Sequence, residues 1–297
     1  MEEDLNRPLW RHPGFLLLYS ILATVLAVIL ASVFARMLPP HKGGWIAVSV
    51  GIGVAAIFVG VYELFCKFVE GRPARELAWR FAPRELPTGI AIGLVVFSAI
   101  VAVIAAFGGY RVVGYHDAGV LLPALAIAIS SGFTEEIFFR GFFFRLTERW
   151  LGSWAALVLS AFLFGILHIF NPNATLLAAV AIMVEAGIML AAIYMITRRL
   201  WVAIGVHAAW NFAQGGIYGI AVSGGEMEGL LRPDIRGSDL LTGGAFGAEA
   251  SVPAMVVATA FGLAVLWLAW RRGRFMAPLW VRRRAAKANP VVGQVFD

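Results

Sequence analysis

The chain has 297 residues, 60% hydrophobic and 14% charged, with a mean hydropathy of +0.81 and a formal net charge of +6. A water-soluble domain carries about 25% charged residues, so this composition excludes an ordinary soluble protein and points to a polytopic membrane bundle. The single cysteine, Cys66, excludes an internal disulfide and a multi-cysteine metal cluster.

Eight apolar stretches are each close to the roughly 20 residues that a bilayer core requires. They cover 15–38, 44–69, 88–107, 120–144, 154–170, 174–197, 200–220 and 253–270, and the fold expected from them is all-α, a transmembrane helical bundle of about eight spans. The first stretch is too long for a signal-peptide core and shows no convincing cleavage site before the second, so it is expected to remain. Pro39-Pro40, Asn171-Pro172-Asn173 and Ser223-Gly224-Gly225 punctuate the spans. The organisation expected is three spans and a connector over 1–119, a core over 120–220, and a glycine-rich loop, last span and basic tail over 221–297. Segment 70–87, with Arg72, Arg75, Arg80 and Arg84, reads as a cytoplasmic amphipathic connector. Segment 221–251 reads as a lid or as disordered chain.

Alternate loops divide the basic residues unevenly, with 19 of the 24 Lys and Arg on one side and 5 on the other. The positive-inside rule then places both termini in the cytoplasm, and an odd number of spans would scramble the asymmetry. The expected location is a multi-pass position in the inner (plasma) membrane of a bacterial cell. The basic tail, Arg271-Arg272-Gly273-Arg274 and Arg282-Arg283-Arg284, reads as a juxtamembrane segment drawn to anionic lipid, with no nucleic-acid partner expected.

Ionisable groups inside such spans are functional-site candidates, because a charge in hydrocarbon is expensive. Residues four apart share a helix face. Glu136 therefore stacks on Arg140 and reads as a structural pair, whereas Glu135 shares its face with Phe139 and has no local counter-ion. Desolvated, Glu135 suits a general base. Phe164 and His168 form an aromatic wall beside an imidazole, which would hold a water against Glu135. His207 and Asn211 repeat the four-residue spacing on the seventh stretch and could both donate to a carbonyl oxygen gaining negative charge. They could equally join helices as polar glue. Glu185 reads as lining a polar substrate cavity, and Trp210 as packing beside the site. A zinc set of Glu135, His168 and His207 is the alternative to metal-free water activation, although the compact H-E-x-x-H signature is absent. Spacing leaves no cofactor and Zn2+ both open.

The ordered motifs Glu135-Glu136-x-x-x-Arg140, Phe164-x-x-x-His168 and His207-x-x-x-Asn211, on successive spans, resemble the CAAX protease and bacteriocin-processing family, which includes the type II CAAX prenyl endopeptidases. The resemblance covers roughly 122–212. It implies an intramembrane endopeptidase in which Glu135 and His168 activate water, His207 and Asn211 stabilise the oxyanion, and Glu136 and Arg140 support the site. Family members have been described both as metalloproteases and as glutamate-dependent enzymes, so the metal question stays open. The partners implied are membrane lipid and a membrane-associated peptide or protein substrate. Two other readings use the same residues: a non-catalytic scaffold or immunity-type peptide binder, and a proton-coupled transporter, for which the inverted symmetry common in transporters is missing.

Overall fold

The computed structural model describes residues 9–38 and 44–288; the expected Pro39-Pro40 break and Lys42 lie outside the described residues. In hydrocarbon every backbone polar group must be satisfied within its own segment, so the apolar runs form helices. The long ones are α1 (Pro13–Met37), α2 (Gly44–Leu64) and α3 (Ala82–Ala106). Then follow α4 (Leu121–Glu136), which continues through a π-helical stretch into α5 (Arg145–Leu151), and α6 (Ser153–Leu167). Helices α7 (Leu176–Ile182) and α8 (Ile188–Thr197) flank another π-helical stretch, and α9 (Trp201–Asn211) runs into a further one; a π-helical stretch, Phe65–Glu70, also follows α2. A one-turn helix, α10 (Asp239–Thr242), precedes α11 (Val252–Arg271) and α12 (Leu279–Ala288).

Seven helical segments among the described residues are long and apolar enough to cross a membrane. The eighth expected span is α9 and its π continuation, Phe212–Ile217, which is shorter than those seven and almost wholly buried. It runs through the inside of the bundle rather than along its lipid face. The outside is plainly oily. Leu18, Leu22, Leu26, Ile29 and Val33 of α1 are each more than half exposed, a stripe too apolar for water and suited to acyl chains. The chain is an integral, multi-pass membrane protein.

The loops sort to two ends, as the charge count requires. At one end Arg145 grips Glu70 through two bonds of 2.9 and 2.6 Å, and Arg72 pairs with Glu70 and with Glu76. Arg198 pairs there with Glu148, and Arg199 with Glu85. Within segment 70–87, two 3-10 turns and the start of α3 turn Glu70, Arg72 and Glu76 inward to Arg145 as an ionic clasp, while Arg75, Arg80 and Arg84 stay exposed. Trp150 beside His12, and Met276 bonded to Ser153, bring the first and last described segments to the same end. At the opposite end the all-α expectation needs an addition. Strand β1 (Tyr110–Tyr115) pairs antiparallel with β2 (Leu231–Ile235). Segment 221–251 is folded: β2 ties it to the loop after α3, and Asn173 ties it to Gly224.

Helix α9 is set by close approach. Without a hydrophobic drive between helices in lipid, packing relies on small residues that let backbones touch. Gly89 and Gly93 of α3 face the carbonyls of Val202 and Val206, and Gly205 of α9 faces the Leu86 carbonyl, which a Cβ would meet at 2.5 Å. Gly205→Val is expected to push α3 and α9 apart, at about 1–3 kcal/mol or more, and to lower the thermal midpoint in detergent. Gly60→Ala, whose new Cβ meets nothing within 4 Å, should leave that midpoint unchanged; a matching loss would show that close approach is not what α9 depends on.

Candidate active site

Helix α4 ends on Glu135 and Glu136, and the chain then widens into the π-helical stretch Ile137–Phe144. Glu136 and Arg140 are both fully buried and 2.8 Å apart, as their spacing predicts. Arg140 also donates to the carbonyl oxygens of Ala186 at 3.2 Å and Gly187 at 3.4 Å, and its guanidinium lies 4.5 Å from the Phe164 ring centre. The same Glu136 oxygen is 2.9 Å from His207 Nδ1. A carboxylate only accepts, so that Nδ1 carries the hydrogen and the other ring nitrogen, Nε2, is turned elsewhere.

It is turned towards Glu135. The Oε2 atom of Glu135 lies 3.9 Å from His207 Nε2 and 4.0 Å from His168 Nε2, and it has no hydrogen-bond partner. His168 Nδ1 is 2.6 Å from the Phe164 carbonyl oxygen, so it too must be the N–H, which leaves Nε2 of the neutral ring as an acceptor. The Phe164 and His168 rings stack at 4.9 Å, forming the expected wall. Asn211 donates through Nδ2 to Ser131 Oγ at 2.8 Å. That hydroxyl already donates to the Ile127 carbonyl, so it can only accept from Asn211, and the amide orientation is fixed. The second N–H of Asn211 is left for the cavity.

That cavity, of about 30 Å³, is lined by Phe164, His168, Glu185, His207, Trp210, Asn211, Ser223 and Glu249, among others. It has room for one or two waters. Glu185 lines it as expected and is not paired with Arg198 or Arg199, which are taken by other carboxylates. The sequence-predicted residues Glu135, His168 and His207 come together: Phe164, His168, His207 and Asn211 line the cavity, Glu135 stands beside the two imidazoles, and Glu136 joins His207 to Arg140.

The zinc set fits poorly. Ligands about 2.0–2.2 Å from a tetrahedral ion stand roughly 3.4 Å from one another, and both measured edges from Glu135 Oε2 are longer, 3.9 and 4.0 Å. Among the described residues no group of three or more His, Cys, Asp or Glu is arranged to hold a metal ion. The side chains as placed do not form a metal centre.

Two residues escaped sequence reasoning. Ser131 sits one turn before Glu135 on the same face of α4, a spacing that could have flagged it. Glu249 arrives from 221–251, and no local pattern joins it to a cavity whose other residues come mostly from Phe164 to Asn211. Of the four π-helical stretches among the described residues, three, Ile137–Phe144, Met183–Gly187 and Phe212–Ile217, border Glu136, contain Glu185 and follow Asn211, and the fourth, Phe65–Glu70, ends in the ionic clasp. Such distortions gather at functional sites, and a 3.6-residue periodicity does not reveal them.

Residues 117–213 match the family model described as Rce1-like: Type II CAAX prenyl endopeptidase Rce1-like. The match takes in about a third of the chain and spans all three motifs. No curated protein and no solved structure matches the chain.

Arg140→Met strands Glu136 in the bundle without its counter-ion, which for a buried pair costs about 3–5 kcal/mol. The double substitution Glu136→Gln/Arg140→Met should recover part of the loss in detergent unfolding, and equal losses would refute the pairing argument. Burial pushes the Glu249 carboxyl up to about 7 from an ordinary 4.5. Raised in the folded chain, it adds stability that is full below about pH 4.5 and lost as pH climbs through about 7. Glu249→Gln should therefore melt above the wild type at pH 8 and level with it at pH 4.5.

Proposed function

We propose, from the premise that this chain belongs to the CAAX protease and bacteriocin-processing family, that it is an intramembrane endopeptidase that hydrolyses a peptide bond of a membrane-associated substrate with water activated by Glu135 and His168. One observation carries the reading: the unpartnered Oε2 of Glu135 stands between two imidazole nitrogens at 3.9 and 4.0 Å. Those gaps are too long for direct hydrogen bonds and suit a bridging water. A water about 2.8 Å from Glu135 Oε2 and from His168 Nε2 closes a triangle with that edge.

In this scheme His168 Nε2 accepts one hydrogen of the water and Glu135 takes the other as the oxygen attacks the carbonyl carbon. The carbonyl oxygen becomes an oxyanion, which accepts from Asn211 Nδ2–H and from His207 Nε2–H. His207 must hold both ring hydrogens for this, and Glu136 secures the one on Nδ1. Collapse of the tetrahedral adduct breaks the C–N bond. The proton on Glu135 passes to the leaving nitrogen, and a carboxylic acid and an amine are released. Arg140 neutralises Glu136 and, over Phe164, keeps the wall in place. No step calls for a metal, in keeping with the ligand edges. The Arg-rich end and both termini are assigned to the cytoplasm on charge asymmetry.

The wild type reconstituted in liposomes should cleave a membrane-associated peptide. Glu135→Gln and His168→Ala should lower the rate by about 10²–10⁴, and Asn211→Ala by about 10²–10³, with thermal midpoints near wild type. Cleavage by a Glu135→Gln/His168→Ala double variant at the wild-type rate would end the assignment. Activity is expected to survive exhaustive chelation in protein shown to be metal-free. Activity lost on stripping and restored by zinc would overturn the metal-free scheme.

A further inference from the structure

The cavity carries polar atoms that water activation does not use. Glu185 is 1% exposed, and neither of its carboxylate oxygens has a hydrogen-bond partner. Glu249 is 4% exposed and lines the same cavity. Glu249 accepts from the Ser223 amide at 2.5 Å, a neutral donor, while the nearby indole of Trp210 donates to Gln214. Arg140, whose guanidinium reaches the backbone beside Glu185, is committed to Glu136 and to carbonyl oxygens.

Two buried carboxylates without a basic partner are unfavourable unless a proton or a cation joins them. An ammonium is a compact cation with three donors, able to bond oxygens of both carboxylates lining one cavity. The indole of Trp210 on its wall suits a cation as well. On the same segment as Glu249, exposed Glu226 and Glu228 line an outer groove and add negative charge that draws cations inward.

We propose, building on the peptidase reading, that Glu185 and Glu249 form an acidic subsite for a primary ammonium group of the bound peptide. Two groups share that chemistry: a lysine side chain next to the scissile bond, and the α-ammonium that hydrolysis releases.

The test begins without turnover. Wild-type protein in detergent at about pH 8, where alkylamines are protonated, is titrated with n-butylammonium chloride and followed by thermal unfolding. Sodium chloride and n-butanol control for salt and for the alkyl chain. Saturable stabilisation by the amine alone is expected, with the apparent Kd weakened about tenfold or more in Glu185→Gln and in Glu249→Gln. An equal response in wild type and both variants, or an equal response to sodium or calcium chloride, overturns the subsite. Because this readout needs no cleavage, an inactive protein that still binds the amine sinks the peptidase reading alone. With a cleaved peptide, the two sources separate. If replacing a flanking lysine by leucine raises KM in wild type but not in Glu185→Gln, the side chain occupies the subsite. If KM is unmoved but inhibition by the product amine is lost in Glu185→Gln, the α-ammonium does. Neither effect in a protein that cleaves the peptide overturns the proposal.

Discussion

The structure turns on one cation fully buried within the helical bundle. Arg140 neutralises Glu136, caps the backbone of the chain around 186–187 and lies against the Phe164 ring. Through Glu136 it reaches His207 Nδ1. Four separate pieces of chain are thereby held in register by side chains that can go nowhere else, because leaving any of them unpaired in a low-dielectric interior costs more than keeping them together. Glu135 is the exception that this arrangement permits. Its neighbour absorbs the counter-charge, so its own carboxylate remains uncommitted and faces two imidazoles.

The geometry that brings α9 within reach is a matter of missing atoms. Gly132 on α4 faces Ala208 and the Ile204 carbonyl, as Gly89 and Gly93 on α3 face α9. Side chains at these positions would hold the helices farther apart than Glu136 and His207 can span. Close backbone contact and the buried ion pair are therefore one device: the first sets the distance and the second uses it.

Much of this was legible in the chain. The apolar runs fixed the helices, the alternation of basic loops sorted their ends, and the four-residue spacings of Glu136 with Arg140 and of Phe164 with His168 survive as contacts. Local spacing says nothing, however, of pairs far apart in the chain, such as the β1–β2 ribbon or Glu185 and Glu249 on one cavity. Segment 70–87 is legible only in part for a related reason: Arg75, Arg80 and Arg84 are exposed as a basic connector requires, but the grip of Arg145 on Glu70 and Glu76 comes from a distant helix. The Ser131 hydroxyl was hidden by its ordinariness, since serine is common in membrane helices and its meaning here depends on Asn211 across the bundle.

That Glu136 and Arg140 lie on the same helix bears on biogenesis. A span whose acid and base travel together presents the insertion machinery with a nearly neutral rod and can partition into lipid before its later neighbours have been synthesised. His207 and Glu249 arrive from downstream segments. The nascent protein thus carries a preneutralised pair from its middle spans, and the cavity beside it closes only once translation has delivered the final third of the chain.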